Sequence, residues 1–361
     1  MSNKLSRWFY PKINKSVIKD IKKIIDSSYV NEGPFARKLE DKLAKICQRK
    51  FCSLTSSGST ALVTALLAAG VKKNDTVFVP GFSFIATANA IKIIGAKPKW
   101  VDIDTNTMCL SHKDLIKKIV SFKNKKKIPK FLVTVEVNGY SPNYAKIIKI
   151  CKKNNIKLIT DSAESLGSKY RNKNLGGFGL ISTLSFSPNK IMTTGQGGAV
   201  LTNDKKMYNK MLAIKYQGNH IRGDGGADTY YLNGLNFKLS DLNAVIGLSQ
   251  IRLINKRLNN TEKNFKQFKK ILSNNNIIFP EIQKGGKRIW IDCIVLKNRN
   301  KFIKFLKKKK IAFREFWLPM NKQKSMMSSQ NLKNVNFMSE RGLWLTSNFD
   351  LTKKDIDETF N

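Results

Sequence analysis

An acid and an amine in this chain are placed where they could serve one cofactor together. Asp161 follows the apolar run IKLIT, and Lys190 lies in the stretch FSPNKIMTTGQGG, just after another apolar run. A lysine amine forms a Schiff base with an aldehyde, and a carboxylate opposite a pyridine nitrogen keeps that nitrogen protonated. The pair therefore predicts a pyridoxal phosphate (PLP) site. Taken singly, Asp161 is equally well explained by a cap or a salt bridge, and Lys190 is one of many lysines.

Two further features could complete such a site. The sequence SGST at 57–60 opens a helical pattern, and Gly58 and Ser59 there predict a helix N-terminus that can bind a phosphate. An ordinary serine-capped helix explains the same pattern. Phe84 follows an apolar run and could stack on a cofactor ring, although an aromatic residue in that place is more often part of the core.

Apolar runs alternate with helical patterns through the first two thirds of the chain. The strand-like runs lie at 76–79, 99–103, 131–137, 157–160, 182–186 and 199–201, and helical patterns lie at 59–69, 85–94, 113–120 and 144–154. Such alternation predicts an α/β fold whose mostly parallel sheet is covered by helices on both faces and binds ligands at the carboxyl ends of its strands.

After about residue 250 the pattern changes to a long charged helix at 251–272, a strand at 288–296 and a basic helix at 301–310. This change predicts a large domain over 1–250 and a small C-terminal α+β domain over 251–361. The boundary is expected between 245 and 275, and the N-terminal segment is a candidate for packing on the small domain.

The chain of 361 residues carries a formal net charge of +41. Three explanations compete, in this order of preference: a composition rich in Lys, Asn and Ile, a field that attracts an anionic substrate, and nucleic-acid binding. The lysines are spread along the chain and no nucleic-acid motif accompanies them, so we expect no nucleic-acid partner. Five scattered cysteines without metal-ligand spacing, no apolar signal core and no run of membrane-spanning length indicate a cytoplasmic protein without a metal site.

Seven motifs together resemble the DegT-type (DegT/DnrJ/StrS) family of PLP-dependent aminotransferases, which act on nucleotide-linked keto sugars. They follow one another at 31–34 (NEGP), 56–59 (SSGS), 83–86 (SFIA), 101–104 (VDID), 161–164 (DSAE), 189–198 (NKIMTTGQGG) and 234–238 (GLNFK). Each motif is weak alone, but chance assembly of all seven in this order is not credible. The resemblance runs from about residue 8 to the final helix and implies an aspartate-aminotransferase-like fold.

The resemblance also implies a role for each matching position. Lys190 is the implied Schiff-base lysine and proton shuttle, Asp161 faces the pyridine nitrogen, and Glu164 faces the phenolic oxygen of the cofactor. The other implied cofactor contacts surround the ring and the phosphate: Ala163 below the ring, Phe84 above it, and Gly58, Ser59 and Ser185 at the phosphate. Asn236 is implied to reach the phosphate of the partner subunit, so a homodimer with shared active sites is expected.

The implied reaction has two halves. L-Glutamate donates its amine and leaves pyridoxamine phosphate and 2-oxoglutarate, and the amine then passes to the ketone of a nucleotide-diphosphate sugar. Lys190 stands where the family's dehydratases have histidine, which favours transamination. NKI followed by TTG resembles members that aminate carbon 4, so a 4-keto-6-deoxyhexose of the perosamine or viosamine kind is expected.

Three alternatives stay open at this point. The first two are amination at carbon 3 and PLP-dependent dehydration of the sugar. The third belongs to another class of protein, a basic paralogue that binds nucleic acid or acts as a regulator.

Four residues bear on substrate identity. Glu136 stands in EVNG where the family often has HLYG, and Asn321 stands in PMN where PLH is common, so both are expected near the substrate. His220 and Arg222 lie in the glycine-rich loop 217–226 and are candidates for contacting nucleotide phosphates, on charge alone. An exposed histidine without a function explains His220 equally well.

Overall fold

The structure is a computed structural model that describes residues 4–9, 11–123, 127–219 and 229–360. Its helices are α1 (Val17–Asp26), α2 (Pro34–Ile46), α3 (Gly58–Ala69), α4 (Ala86–Ile93), α5 (His112–Lys123), α6 (Tyr144–Lys153), α7 (Lys205–Lys215), α8 (Asp241–Ile251), α9 (Ile254–Leu272), α10 (Arg299–Lys308), α11 (Lys333–Arg341) and α12 (Lys353–Phe360). Its strands are β1 (Phe51–Thr55), β2 (Thr76–Pro80), β3 (Lys97–Val101), β4 (Phe131–Val135), β5 (Lys157–Asp161), β6 (Lys169–Tyr170), β7 (Lys173–Asn174), β8 (Ile181–Ser185), β9 (Gly198–Thr202), β10 (Ile277–Ile278), β11 (Ile291–Val295), β12 (Phe313–Glu315) and β13 (Gly342–Leu345).

The large sheet has seven strands in the order β1-β9-β8-β5-β4-β2-β3. Strand β9 runs antiparallel to both of its neighbours, and the remaining pairs are parallel. The predicted mostly parallel sheet is therefore confirmed. Strand β1 extends it beyond the six predicted runs.

Both faces of the large sheet are buried, and alternate residues of each strand reach opposite faces. Phe78 and Leu132 pack in one cluster with residues of α5 and α6, such as Leu115. Val77 and Val133 pack in a second cluster on the other face, which includes most of α3. Strands buried on both faces read as continuous apolar runs, which explains why the sequence pattern located them.

A second, antiparallel sheet has the order β10-β11-β13-β12 and its own apolar cluster. The N-terminal segment joins this unit, because Leu5 lies in the cluster and its carbonyl accepts a hydrogen bond of 2.7 Å from the Ala312 N–H. The Trp8 carbonyl likewise accepts a bond of 2.9 Å from the Ser347 N–H. We propose that the chain divides near residue 250, as the sequence predicted, with residues 4–9 packed on the small domain.

Helix α2 begins at a cap supplied by a distant residue. Asp241, in the first turn of α8, accepts hydrogen bonds from the N–H groups of Gly33 and Ala36, each at 2.8 Å, and of Phe35 at 3.1 Å. The first N–H groups of a helix have no acceptor inside the helix, so a carboxylate placed there satisfies them. Asp241 is buried, and it thereby joins α2 to α8.

We expect the substitution Asp241→Ala to lower the free energy of unfolding by about 2–3 kcal/mol, because two buried N–H donors and one part-buried N–H donor lose their acceptor. Urea denaturation of the purified protein measures the change. Asp20→Ala is the matched control, because the Asp20 side chain is 44% exposed and lies 3.8 Å from Lys23. Its effect should stay within about 0.5 kcal/mol. Equal effects of the two substitutions would contradict the capping role.

Candidate active site

A cavity of about 390 Å³ lies where α3 begins and where β5 and β8 end. This is the carboxyl edge of the parallel strands, where ligands of open α/β sheets bind. Eight residues proposed from the sequence line it together: Gly58, Ser59, Phe84, Asp161, Ala163, Glu164, Ser185 and Lys190. Asn236 does not line this cavity and is exposed, so its action on a partner subunit stays a prediction.

Lys190 is buried and points its amine at a carboxylate. Its Nζ donates a hydrogen bond of 3.0 Å to Glu164 Oε1, and the Asn138 N–H donates one of 3.3 Å to Glu164 Oε2. Burial raises the pKa of the Glu164 carboxyl, and the nearby charge of Lys190 acts in the opposite direction. The ion pair fixes the end of a side chain that would otherwise be flexible.

The segment between β8 and β9 holds Lys190 in place. It folds back on Phe186, whose N–H donates to the Gly197 carbonyl at 2.8 Å and whose carbonyl accepts from Thr193 Oγ1 at 2.9 Å. Lys190 begins this return, and its N–H donates to the Ser187 carbonyl at 3.0 Å. The backbone that carries the amine is therefore closed by local hydrogen bonds.

Asp161 ends β5 and is only 4% exposed. Its Oδ2 accepts a hydrogen bond of 2.7 Å from the Thr87 hydroxyl, and its Oδ1 accepts one of 3.2 Å from the Ala163 N–H. Burial raises the pKa of the Asp161 carboxyl, and these two donors together with the charge of Lys190 oppose that rise. A buried carboxylate of this kind favours a cationic partner inside the cavity.

The N-terminus of α3 forms an anion cradle. Ser57 caps the helix, because its hydroxyl accepts from the Thr60 N–H at 3.1 Å while its own N–H donates to Thr60 Oγ1 at 2.9 Å. Gly58 and Ser59 follow the cap and line the cavity with first-turn N–H groups that have no acceptor within the helix. A Cβ on Gly58 would lie 2.7 Å from the Cβ of Ser185, so this position leaves no room for a side chain.

Small-domain residues complete the cavity wall: Trp290, Arg314 and Trp317. The Trp290 ring centroid lies 5.3 Å from Lys190 Nζ, and its indole N–H donates to the Asn189 carbonyl at 3.2 Å. Sequence reasoning missed these residues, and it also missed Thr87. Of these residues, only Thr87 could have been found from the sequence, because it lies one helical turn after Ser83 and both carry a hydroxyl. In the structure the two hydroxyl oxygens are 2.9 Å apart.

Asn138 connects Glu164 with the small domain. Its side-chain oxygen accepts from the N–H groups of Ile289 and Trp290 at 3.1 and 2.8 Å, and its Nδ2 donates to the Trp290 carbonyl at 3.0 Å. Its own N–H donates to Glu164, so Asn138 connects the ion pair of the cavity with Trp290, the residue directly before β11.

Two residues expected near the substrate do not line this cavity. Glu136 is fully buried and accepts hydrogen bonds from the hydroxyls of Tyr144 and Ser165 and from the Gly176 N–H. Val135 lines the cavity, and the next residue along the extended chain faces the opposite side of the sheet. Burial raises the pKa of the Glu136 carboxyl, and its hydrogen bonds act against the rise.

Asn321 is also absent from the residues that line the cavity. It is 2% exposed, and its Nδ2 donates to the Gln330 carbonyl at 2.8 Å, within a segment that packs against the large domain through Met320. His220 and Arg222 lie outside the described residues, and their proposed contacts with nucleotide phosphates stay predictions.

The donor set fits PLP. The buried lysine amine suits the aldehyde, Asp161 suits the pyridine nitrogen, and the glycine cradle at the start of α3 suits the phosphate. Together with the seven-stranded sheet, these groups define a PLP enzyme of the aspartate-aminotransferase-like fold.

Comparison with known proteins agrees with this class. Residues 11–361 match the DegT/DnrJ/EryC1/StrS aminotransferase family. GDP-perosamine synthase of Escherichia coli O157:H7 is 38% identical over 64% of this chain, and the match spans 61% of that protein. GDP-perosamine synthase of Caulobacter vibrioides is 29% identical, with 92% of this chain and 90% of that protein covered.

Among solved structures, E. coli GDP-4-keto-6-deoxy-D-mannose-3-dehydratase with bound hydrated PLP superposes with a TM-score of 0.86. The two are 23% identical, and the superposition covers 97% of this chain and 98% of the dehydratase chain, so it supports the fold. The chain belongs to the DegT/DnrJ/EryC1/StrS family of PLP-dependent aminotransferases. None of the helices that the structure describes is both long and apolar enough to span a membrane.

We expect the substitution Gly58→Ala to raise the dissociation constant of PLP at least about tenfold, because the new Cβ must displace Ser185 from the phosphate cradle. Titration of the apo-protein with PLP, followed by the absorbance of the bound cofactor, measures the constant. Thr64→Val is the control, since Thr64 lies on the same helix but does not line the cavity. Wild-type affinity in the Gly58→Ala protein would refute the cradle.

We expect the substitution Thr87→Val to weaken PLP binding about tenfold near neutral pH. Loss of the hydroxyl leaves Asp161 with one fewer donor and raises the pKa of its carboxyl further, so the defect should grow as the pH falls. The same titration at several pH values measures this. Thr64→Val is the matched control, because Thr64 is equally buried but donates to the Thr60 carbonyl at 2.8 Å. A defect independent of pH would contradict the role of Thr87.

Proposed function

We propose that this protein transfers the amino group of L-glutamate to a nucleotide-linked 4-keto-6-deoxyhexose and so produces a 4-amino-4,6-dideoxy sugar nucleotide. The observation that carries the proposal is the Lys190 amine, held 3.0 Å from Glu164 in the cavity that also contains Asp161. An amine so placed can take part both in cofactor attachment and in proton transfer.

Each residue of the site has a definable task. PLP, when bound, supplies an electron sink for negative charge at the substrate carbon. Lys190 Nζ would serve as the proton carrier at the substrate carbon, and Glu164 accepts one of its hydrogen bonds and thereby orients the amine. Asp161 would hold the pyridine nitrogen and favour its protonated form, and the Thr87 hydroxyl donates to the Asp161 carboxylate and orients it.

An anionic substrate agrees with the charge of the cavity wall. Arg314 lines the cavity and forms no ion pair with any carboxylate in the described part of the chain. Lys190, by contrast, is already paired with Glu164. We propose that Arg314 binds an anionic group of each substrate. This group is the carboxylate in glutamate and the diphosphate in the sugar nucleotide.

Relatives named GDP-perosamine synthase support the sugar and the position of amination. Amination at carbon 3 is the alternative for an aminotransferase. Dehydration is a second alternative, because a dehydratase shares the fold, but Lys190 rather than histidine supports transamination. The paired Lys190 and Glu164 beside Asp161 support an enzyme over a nucleic-acid-binding or regulatory paralogue, which has no use for this set of charges.

A homodimer with shared active sites is part of the proposal. Asn236 is exposed and lies outside the cavity of its own chain, as expected for a residue that serves a partner. Its backbone pairs with Tyr216, which holds this segment against the end of α7.

We expect the substitution Lys190→Ala to slow the reaction with L-glutamate by about 10³-fold, because the variant lacks the amine that would carry the proton. The measurement is the change in absorbance of the bound cofactor on adding L-glutamate, together with the 2-oxoglutarate formed. Lys117→Ala, an exposed lysine of α5, is the control and should react like wild type. Unimpaired turnover in Lys190→Ala would refute the assignment, and failure of the wild type to form 2-oxoglutarate would refute glutamate as donor.

A second measurement tests the sugar. Enzyme converted by glutamate is mixed with nucleotide-linked 4-keto-6-deoxyhexoses and with 3-keto sugars, and the products are identified by NMR. A 4-amino product supports the proposal, a 3-amino product supports the first alternative, and loss of a hydroxyl without amine transfer supports the dehydratase.

A further inference from the structure

A second and larger cavity, of about 980 Å³, has no part in the proposed reaction. Its walls are residues 12–15, the first turns of α9 and the loop 349–352 that follows β13. Among the described residues, it shares no lining residue with the active-site cavity. It lies beside the junction where the N-terminal segment, the large domain and the small domain meet.

The walls of this cavity are strongly positive. Among the described residues that line it, the cationic ones are Lys12, Lys15, Lys256, Arg257 and Lys263, and Asp350 is the one carboxylate. None of the four lysines forms an ion pair with a described carboxylate. The five cations therefore outnumber the one carboxylate among the described lining residues, so the cavity attracts anions.

The spacing of the lysines indicates the size of such an anion. Lys256 and Lys263 are seven residues apart on α9, which places them on one face of the helix about 10 Å apart. Lys12 and Lys15 belong to a different wall of the cavity. A singly charged ion could reach one of these groups, whereas a chain of phosphates could reach several.

Arg257 distinguishes this cavity from an ordinary lysine-rich surface. It is only 5% exposed, and its guanidinium donates to the carbonyls of Ile191 at 2.9 Å and Lys12 at 3.0 Å. It also lies 4.3 Å from the ring centroid of Phe349. These two hydrogen bonds leave further N–H groups of the guanidinium without a recorded protein acceptor. No described carboxylate forms an ion pair with Arg257, and burial lowers the pKa of Arg257 to about 10. A buried cation without a counter-charge is costly, which is a physical reason for an anionic occupant.

Hydrogen bonds to helix α9 hold the wall formed by residues 349–352 in a fixed position. Asn260, on α9, donates from Nδ2 to the carbonyls of Phe349 and Leu351 at 3.1 and 2.9 Å. The cavity is therefore built by contacts between α9 and the loop after β13, and it does not require a rearrangement to exist.

We propose that this cavity binds a small anion that carries two or more phosphate groups. The shared chemistry is the phosphate chain, which either an inorganic oligophosphate or a nucleoside polyphosphate supplies. The occupant would lie against Arg257, whose guanidinium contacts the carbonyl of Ile191, the residue next to Lys190. The proposal is independent of the sugar substrate.

Calorimetric titration of the PLP-loaded protein with inorganic tripolyphosphate tests the site. PLP occupies the phosphate cradle of α3 and removes it as a competing site, and a salt concentration of about 0.15 M screens diffuse attraction to the charged surface. We expect one tripolyphosphate per chain and at least about tenfold weaker binding of orthophosphate. No binding of tripolyphosphate to the wild type would overturn the proposal.

A pair of double variants separates the site from the overall charge. Lys256→Ala with Lys263→Ala should weaken tripolyphosphate binding at least about tenfold, and both side chains are exposed, so the fold should persist. Lys146→Ala with Lys153→Ala is the matched control, since these lysines of α6 are also exposed and seven residues apart. Equal losses in the two double variants would mean that net charge causes the binding, and the proposal would fail.

Titration with ATP identifies the source of the phosphates. Equal affinity for ATP and tripolyphosphate would support a site that contacts phosphates alone, and tighter binding of ATP would support a nucleotide as the occupant. Arg257→Met should abolish either interaction. If that variant unfolds, the lysine double variant still decides the outcome.

Discussion

The active site depends on the placing of three buried charges in one small cavity. Lys190 and Glu164 neutralise each other at 3.0 Å, and Asp161 is left with a hydroxyl and an N–H as its hydrogen-bond donors. Because burial raises the pKa of the Asp161 carboxyl, its ionised form is stabilised by a cation that enters the cavity. A protonated pyridine ring is such a cation. Burial therefore destabilises the ionised Asp161 in the empty site and favours binding of the cofactor.

Both sheets contribute to this arrangement. Asn138 contacts Glu164 with its N–H and the backbone around Trp290 with its side chain. Close by, Tyr140 donates to Asp292 at 2.7 Å, and Arg288 lies 3.3 Å from the same carboxylate. All of these groups are buried, so the small sheet is joined to the large one by polar contacts that would be costly to break. These contacts hold Trp290, which forms one wall of the cavity, in a fixed position relative to the Lys190 amine.

The positive charge of the chain has different meanings at different places. Most lysines are exposed and scattered, which agrees with a compositional origin. Arg257 in the second cavity differs, because it is buried and lacks a carboxylate partner among the described residues. Net charge alone could not distinguish this arginine from the exposed lysines, since only burial makes an unpaired cation costly.

The sequence by itself determined the alternation of strands and helices and two of the chemical groups that follow the strands. Asp161 and Lys190 could be predicted because both follow apolar runs, and parallel strands bring their carboxyl ends to one edge. Tertiary structure alone decided the remaining contacts. Glu136 faces away from the cavity because successive side chains of an extended segment point to opposite faces of the sheet. Trp290 reaches the site although it lies about a hundred positions further along the chain. Local patterns report local geometry, whereas these contacts depend on how two separate sheets pack.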